Sequence, residues 1–318
     1  MDPYAERPWL RFYPTGVPRE VHVPDVAVTA LLDDAARAFP DRPALSYLGR
    51  TLTYQQLHDE AGRFAGVLSD LGVTKGDRVA LVLPNCPQLV IAFFAVLRLG
   101  AVVVQHNPLY TKPELAHQLG DSGAVVAVVY DGAYARVRSV APDTSLRHVI
   151  VTSLADYLPR WKQRALRLPL RRAREQRARL VTPVGPRDSL LDFCRLLAAS
   201  SQYPRQAALD PATDLAALQY TGGTTGLPKG AMLTHRNLVA NAYQARAWDP
   251  GIAEGRETTL GVLPLFHVYG LTLGLMTTLL SAGRLLLMPT FDLPMVLDAV
   301  DRERPSILPG VPPIYSQL

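Results

Sequence analysis

Cysteine is scarce in this chain. Cys86 and Cys194 are the only two among 318 residues, they lie far apart, and no Cys-x-x-Cys spacing occurs. That excludes a disulfide framework or a cysteine-based zinc site as the organising device. Charge is also sparse: charged residues make up 19% against 48% hydrophobic, a balance that argues against disorder and fits a globular chain. Long apolar runs are missing too. The longest uncharged one, between His267 and Arg284, falls short of the roughly 20 residues a spanning helix needs, and it reads as a buried core helix. Met1 to Pro8 shows no basic segment followed by an apolar one, so no signal peptide is expected and the cytoplasm is the expected location.

What is present is length and alternation. The chain is too long for one small core and suggests one large domain or two ordinary ones. Thr53-Tyr54-Gln55-Gln56 has capping-box form and predicts a helix to about Leu71. Asp77 to Leu83 reads as a buried strand broken by Pro84-Asn85, and Gln88 to Leu99 as a helix ended by Gly100. Ala101 to Val104, Ala124 to Tyr130 and His148 to Thr152 read as further strands, with a helix over Pro113 to Leu119. Later, strands are expected at Leu215 to Tyr220, Thr258 to Val262, Leu285 to Met288 and Ser306 to Leu308. Helices are expected at Asn237 to Trp248, Val268 to Leu280 and Pro294 to Arg302. Continuous Val/Leu/Ile strands separated by helices predict an α/β fold with mainly parallel sheets flanked by helices.

The net charge of +5 is unevenly spread. Between Arg160 and Arg179 nine basic residues face the single acid Glu175, and Leu158, Trp161, Leu166, Leu168 and Leu170 are interleaved. This predicts a partly helical surface insertion, with a peripheral membrane contact as the sharper reading. Nucleic acid is not expected, because no element of known docking geometry accompanies the basic run. Pro159 and Pro169 limit any long helix here.

The most informative segment is Tyr220-Thr221-Gly222-Gly223-Thr224-Thr225-Gly226-Leu227-Pro228-Lys229-Gly230, directly after an apolar strand. Glycines let backbone N–H groups approach an anion, threonine hydroxyls add donors and can face magnesium, and Lys229 supplies a mobile positive charge. Strand, Gly/Thr-rich turn and lysine together suit a triphosphate. A Walker A loop is excluded because Lys229 lies between Pro228 and Gly230, and a dinucleotide fingerprint because G-x-G-x-x-G spacing is absent.

Tyr220 to Lys229, followed by Gly230 to Asn237, resembles the AMP-binding signature of the adenylate-forming superfamily. The resemblance implies that Thr221, Gly222, Gly223, Thr224, Thr225, Gly226 and Lys229 grip the phosphates of ATP. It makes Lys229 and Thr224 the candidate catalytic residues, with Thr224 on the Mg2+ side. Leu263 to Gly270 looks like the motif beside the acyl and pantetheine path. It puts His267 in the substrate site, although a packed histidine at a helix start would read the same way locally. Pro309 to Tyr315, with Gly310, resembles the segment lining the acyl pocket, and a strand-to-helix turn fits those residues equally well. His106 to Thr111 and Glu114 to Leu119 look like long-chain fatty-acid–CoA ligases. The likeness runs from about Val28.

The implied chemistry has two halves. A carboxylate attacks the α-phosphate of Mg-ATP, releasing pyrophosphate, and CoA thiolate then displaces AMP from the acyl adenylate. A fatty acid or related carboxylic acid and a homodimer partner are the expected companions. The resemblance implies that residues 1–318 are an incomplete N-terminal large domain without the mobile C-terminal domain. It also implies that they do not make acyl-CoA alone at a useful rate. Two other readings stay open: an adenylate former using aryl or dicarboxylic acids or a carrier-protein acceptor, and a short protein that binds nucleotide or lipid without catalysis.

Overall fold

The computed structural model describes residues 7–185, 190–201, 203–222 and 226–318. Helix α1 (Thr29–Ala38) precedes a hairpin of β1 (Pro43–Tyr47) and β2 (Arg50–Thr53), and α2 (Tyr54–Asp70) follows. The α2 start is the predicted capping box: the Thr53 hydroxyl accepts from the Gln56 N–H, and the Gln56 side chain accepts from the Thr53 N–H. Then come β3 (Arg78–Val82), α3 (Pro87–Arg98), β4 (Val102–Gln105), α4 (Lys112–Ser122), β5 (Val126–Tyr130), α5 (Asp131–Val140) and β6 (His148–Thr152). The basic stretch forms two short helices, α6 (Arg160–Ala165) and α7 (Arg171–Leu180). The chain continues through β7 (Leu191–Asp192), α8 (Phe193–Ala199), β8 (Leu215–Thr221), β9 (Lys229–Thr234), α9 (His235–Trp248) and β10 (Thr258–Gly261). A π-helical turn (Gly270–Met276) runs into α10 (Thr277–Leu280), then β11 (Arg284–Leu287), α11 (Leu293–Glu303) and α12 (Pro312–Tyr315).

The strands form two sheets. One runs β10-β11-β1-β2 and the other β7-β6-β5-β3-β4-β8-β9. All pairings in the larger sheet are parallel except β8 with β9. Its strands are apolar throughout because both faces are covered. Val79 and Leu81 enter the core shared with α2 and α3, while Ala80 and Val82 face the α4 and α5 side. All twelve residues of α3 are buried, apolar apart from Gln88 and Arg98, which hydrogen-bond to Thr152, Ser153 and Asp33. The same core takes in Leu45, Leu285 and Leu287 of the smaller sheet, so one continuous apolar cluster joins both sheets.

Several elements depart from the sequence expectation. Lys229 is not in a loop leading to a helix; it begins β9, an antiparallel edge strand. The β1–β2 hairpin turns through Leu48 and Gly49, both at positive φ, the mirror-type turn that matches strand twist. Leucine there gives no turn signal. The helix expected over residues 268–280 is π-helical in its centre. The strand expected at 306–308 is reduced to one bridge between Thr259 and Ile307.

Candidate active site

Parallel strands put the loops after β3, β4 and β8 at one edge of the larger sheet, the carboxyl edge where α/β folds hold ligands. The loop after β8 closes a hairpin in which Thr221 pairs with Lys229. Gly223, Thr224 and Thr225 lie outside the described residues. A Cβ at Gly222 or Gly226 would meet nothing within 4 Å. Among the described residues, neither packing nor a positive φ calls for glycine at these two positions. Lys229 is exposed beside them.

Helix α4 braces this hairpin. The Tyr220 hydroxyl donates to Asp121 Oδ2 and sits 3.3 Å from the Gln118 carbonyl oxygen. Burial, helped by the Asp121 hydrogen bond, holds the phenol well above its ordinary range, so it stays a donor. His117 Nε2 lies 3.0 Å from the carbonyl oxygen of Pro228 at the far side of the loop.

Below the loop, His106 is wholly buried, its ring stacked 6.2 Å from that of Tyr220 and its Nδ1 2.9 Å from Gln118 Oε1. Burial pushes its imidazole down to about 4, against the opposing Gln118 hydrogen bond, so it is neutral. Gln105 and Gln219 are register partners on β4 and β8. Both Gln105 amide atoms, Gln219 Oε1, Gln118 Nε2 and His106 Nε2 are buried without a partner among the described residues.

The segment holding His267 is tied to the same edge. Buried Asn85, just after β3, donates to the Gly261 and Leu263 carbonyls at 3.0 and 2.8 Å and accepts from the Leu265 N–H at 2.8 Å. Gln219 Nε2 donates to the Phe266 carbonyl at 2.9 Å, linking the end of β8 to the residue before His267. The His267 carbonyl accepts from the Leu271 N–H and starts the helix, while its ring stays open to solvent. Partial burial lowers its pKa. Beside it runs a groove of about 270 Å³ lined by Asn241, Val268, Tyr269, Thr272 and Leu273. The Tyr269 hydroxyl reaches the Gly310 carbonyl at 3.4 Å, which links the second expected substrate segment to a residue lining this groove. Lys229, His267 and Gly310 were named as candidates from the sequence; Asn85, Gln219 and His117, which tie these segments together here, were not.

Among the described residues no group of three or more His, Cys, Asp or Glu side chains comes together to hold a metal.

The model of the AMP-binding enzyme family matches residues 32–318. The chain is 37% identical over 312 residues to the long-chain-fatty-acid–CoA ligase of Bacillus subtilis strain 168, covering 98% of this chain and 55% of that protein. It is 34% identical over 272 residues to 4-coumarate–CoA ligase 5 of Oryza sativa subsp. japonica, covering 85% of this chain and 44% of the relative. The crystal structure of a long-chain-fatty-acid-CoA ligase from Archaeoglobus fulgidus superposes with a TM-score of 0.77 at 25% identity, over 96% of this chain and 55% of that one. The chain thus spans about half the length of the curated relatives it matches.

Proposed function

Because this chain belongs to the AMP-binding enzyme family, we propose that it carries the nucleotide- and acyl-holding part of an ATP-dependent fatty-acid–CoA ligase. The observation that carries the reading is the meeting of three segments at one sheet edge. These are the β8–β9 hairpin with Lys229, the His267 turn tied to it through Gln219, and the groove lined by Tyr269, whose hydroxyl meets the Gly310 carbonyl.

Adenylation needs charge neutralised on a departing pyrophosphate and a carboxylate held in line with the α-phosphate. On this reading the backbone at Thr221, Gly222, Gly223, Thr225 and Gly226 donates to phosphate oxygens, and Lys229 offsets charge as pyrophosphate leaves. Magnesium arrives on the triphosphate, and the Thr224 hydroxyl is the loop group assigned to it. His267 borders the path of the acid and Gly310 lines its pocket; neither is assigned proton transfer, since a carboxylate is already a nucleophile. CoA thiolate completes the reaction in the whole protein, with residues beyond this half contributing. The cytoplasmic location and a homodimer remain part of the proposal.

A second reading, activation of an aryl acid, is favoured by the likeness to the 4-coumarate–CoA ligase. Calorimetric titration of ATP into the 318-residue chain and its Lys229→Ala form tests the nucleotide site: about tenfold weaker binding is expected, the scale of one charge-assisted phosphate contact. Acid-dependent ATP–pyrophosphate exchange by the polypeptide carrying these residues separates the acids. Preference for a long-chain fatty acid supports the first reading, preference for coumarate the second, and unchanged ATP affinity in the lysine variant defeats both.

A further inference from the structure

Helices α6 and α7 present a surface that nothing in the ligase reading uses. Between them residues 160–180 carry Arg160, Lys162, Arg164, Arg167 and five more arginines against Glu175. Among the described residues Glu175 pairs with Arg171 at 2.8 Å, and Lys162 Nζ is spent on the Leu48 carbonyl. The other seven arginines are exposed, and none has an acidic partner among the described residues. In the same stretch Trp161, Leu168 and Leu170 are 67%, 49% and 59% exposed. Such side chains in water are usually single and scattered.

The surface is held firmly. Leu158, Leu166 and Ala173 are buried beneath it. Gln163 donates to the Asp156 and Leu158 carbonyls, and Ser153 Oγ donates to the Leu180 carbonyl at the far end. At the near end the Tyr157 hydroxyl donates to Glu60, and the Arg50 guanidinium lies over the Tyr157 ring. The cations and apolar groups are therefore presented by a fixed platform and not by a loose tail.

We infer that this platform docks the protein on an anionic phospholipid bilayer, with the arginines at the headgroups and Trp161, Leu168 and Leu170 in the interfacial layer. Uncompensated positive charge calls for an anionic partner, and exposed Leu168 and Leu170 around Pro169 call for one with an apolar layer beneath its charge. A nucleic acid offers the charge but nothing for the leucines. No helix among the described residues is long and apolar enough to cross a membrane, so the contact is peripheral. The inference stands on charge and exposure alone and survives if the ligase reading fails.

Co-sedimentation of the full chain with vesicles tests it. Binding is expected with mixed phosphatidylglycerol–phosphatidylcholine vesicles, is weak with phosphatidylcholine alone, and falls as salt rises. Each basic side chain at such a surface contributes about fivefold in partitioning, so the triple variant R172Q/R174Q/R177Q should bind about 100-fold more weakly. Its exposed positions leave folding intact, which an unchanged thermal midpoint verifies. Replacing Trp161 by Phe should abolish the blue shift of tryptophan emission on anionic vesicles. Equal sedimentation with both vesicle types, an unaffected triple variant, or tighter binding to single-stranded nucleic acid than to anionic vesicles would overturn the inference.

Discussion

His117 Nε2 lies 3.0 Å from the carbonyl oxygen of Pro228. The acceptor is a carbonyl, so the imidazole must donate from Nε2, and α4 thereby fixes the loop one residue before Lys229. Replacing His117 by Ala is expected to weaken ATP binding about five- to tenfold, the worth of one hydrogen bond, with little change in thermal midpoint. Gln, which can still donate, should recover part of the loss. Equal ATP affinity in the Ala variant, measured by calorimetry, would show that the contact does not position the loop.

Asn85 makes three buried hydrogen bonds across to the β10 exit loop. Asn85→Ala strands two carbonyls and an N–H, so a loss of about 2–4 kcal/mol is expected in urea unfolding. Asn85→Asp should be at least as damaging, because a carboxylate would face the Gly261 and Leu263 carbonyls. A midpoint unchanged by either substitution would refute the clamp.

His106 and His235 are both pushed down to about 4, chiefly by burial, and His235 Nδ1 accepts from the Val28 N–H. The ordinary histidine value is about 6.5, so between about 6.5 and 4 the unfolded chain takes up protons that the folded chain refuses. Stability should therefore be full above this window and fall as pH drops through it, by on the order of 3 kcal/mol per histidine. His106→Leu should flatten the fall of the thermal midpoint over that range, whatever it does to the midpoint at neutral pH. An equally steep profile in the variant would count against the assignment.

Gly270 has no room for a side chain: a Cβ there would sit 2.2 Å from the Pro264 carbonyl oxygen. Main chain cannot rotate aside as a side chain can. Gly270→Ala is expected to cost about 1–3 kcal/mol and to disturb the His267 turn. Denaturant titration reads the first effect, and an unaltered midpoint would mean the turn has slack.

The buried strands were legible because covering both faces makes them continuous apolar runs, and β3 to β6 and β8 fall where expected. The start of α2 was legible because its cap is local, Thr53 to Gln56. Lys229 was read as a candidate phosphate ligand, yet its strand β9 was not foreseen, because Lys-Gly-Ala-Met-Leu-Thr at a sheet edge has no apolar alternation to betray it. Asn85 read only as a strand breaker. Its partners lie 176 to 180 residues further along the chain, and no local pattern announces so distant a contact. The same holds for Gln219 and Phe266, and for His117 and Pro228.

Strand β1 pairs in parallel with β11, Leu45 against Leu285. A ribosome adding about 5–20 residues per second needs roughly 12 to 50 seconds to make the intervening chain. Throughout that interval β1 has its hairpin partner β2 on one side and a bare edge on the other, with Leu45 and Tyr47 not yet enclosed. The nascent protein thus has a built-in period of vulnerability, in which the smaller sheet is half finished and open to wrong pairing with neighbouring chains. Its yield in the cell should depend on holdase chaperones that cover that edge until β11 emerges.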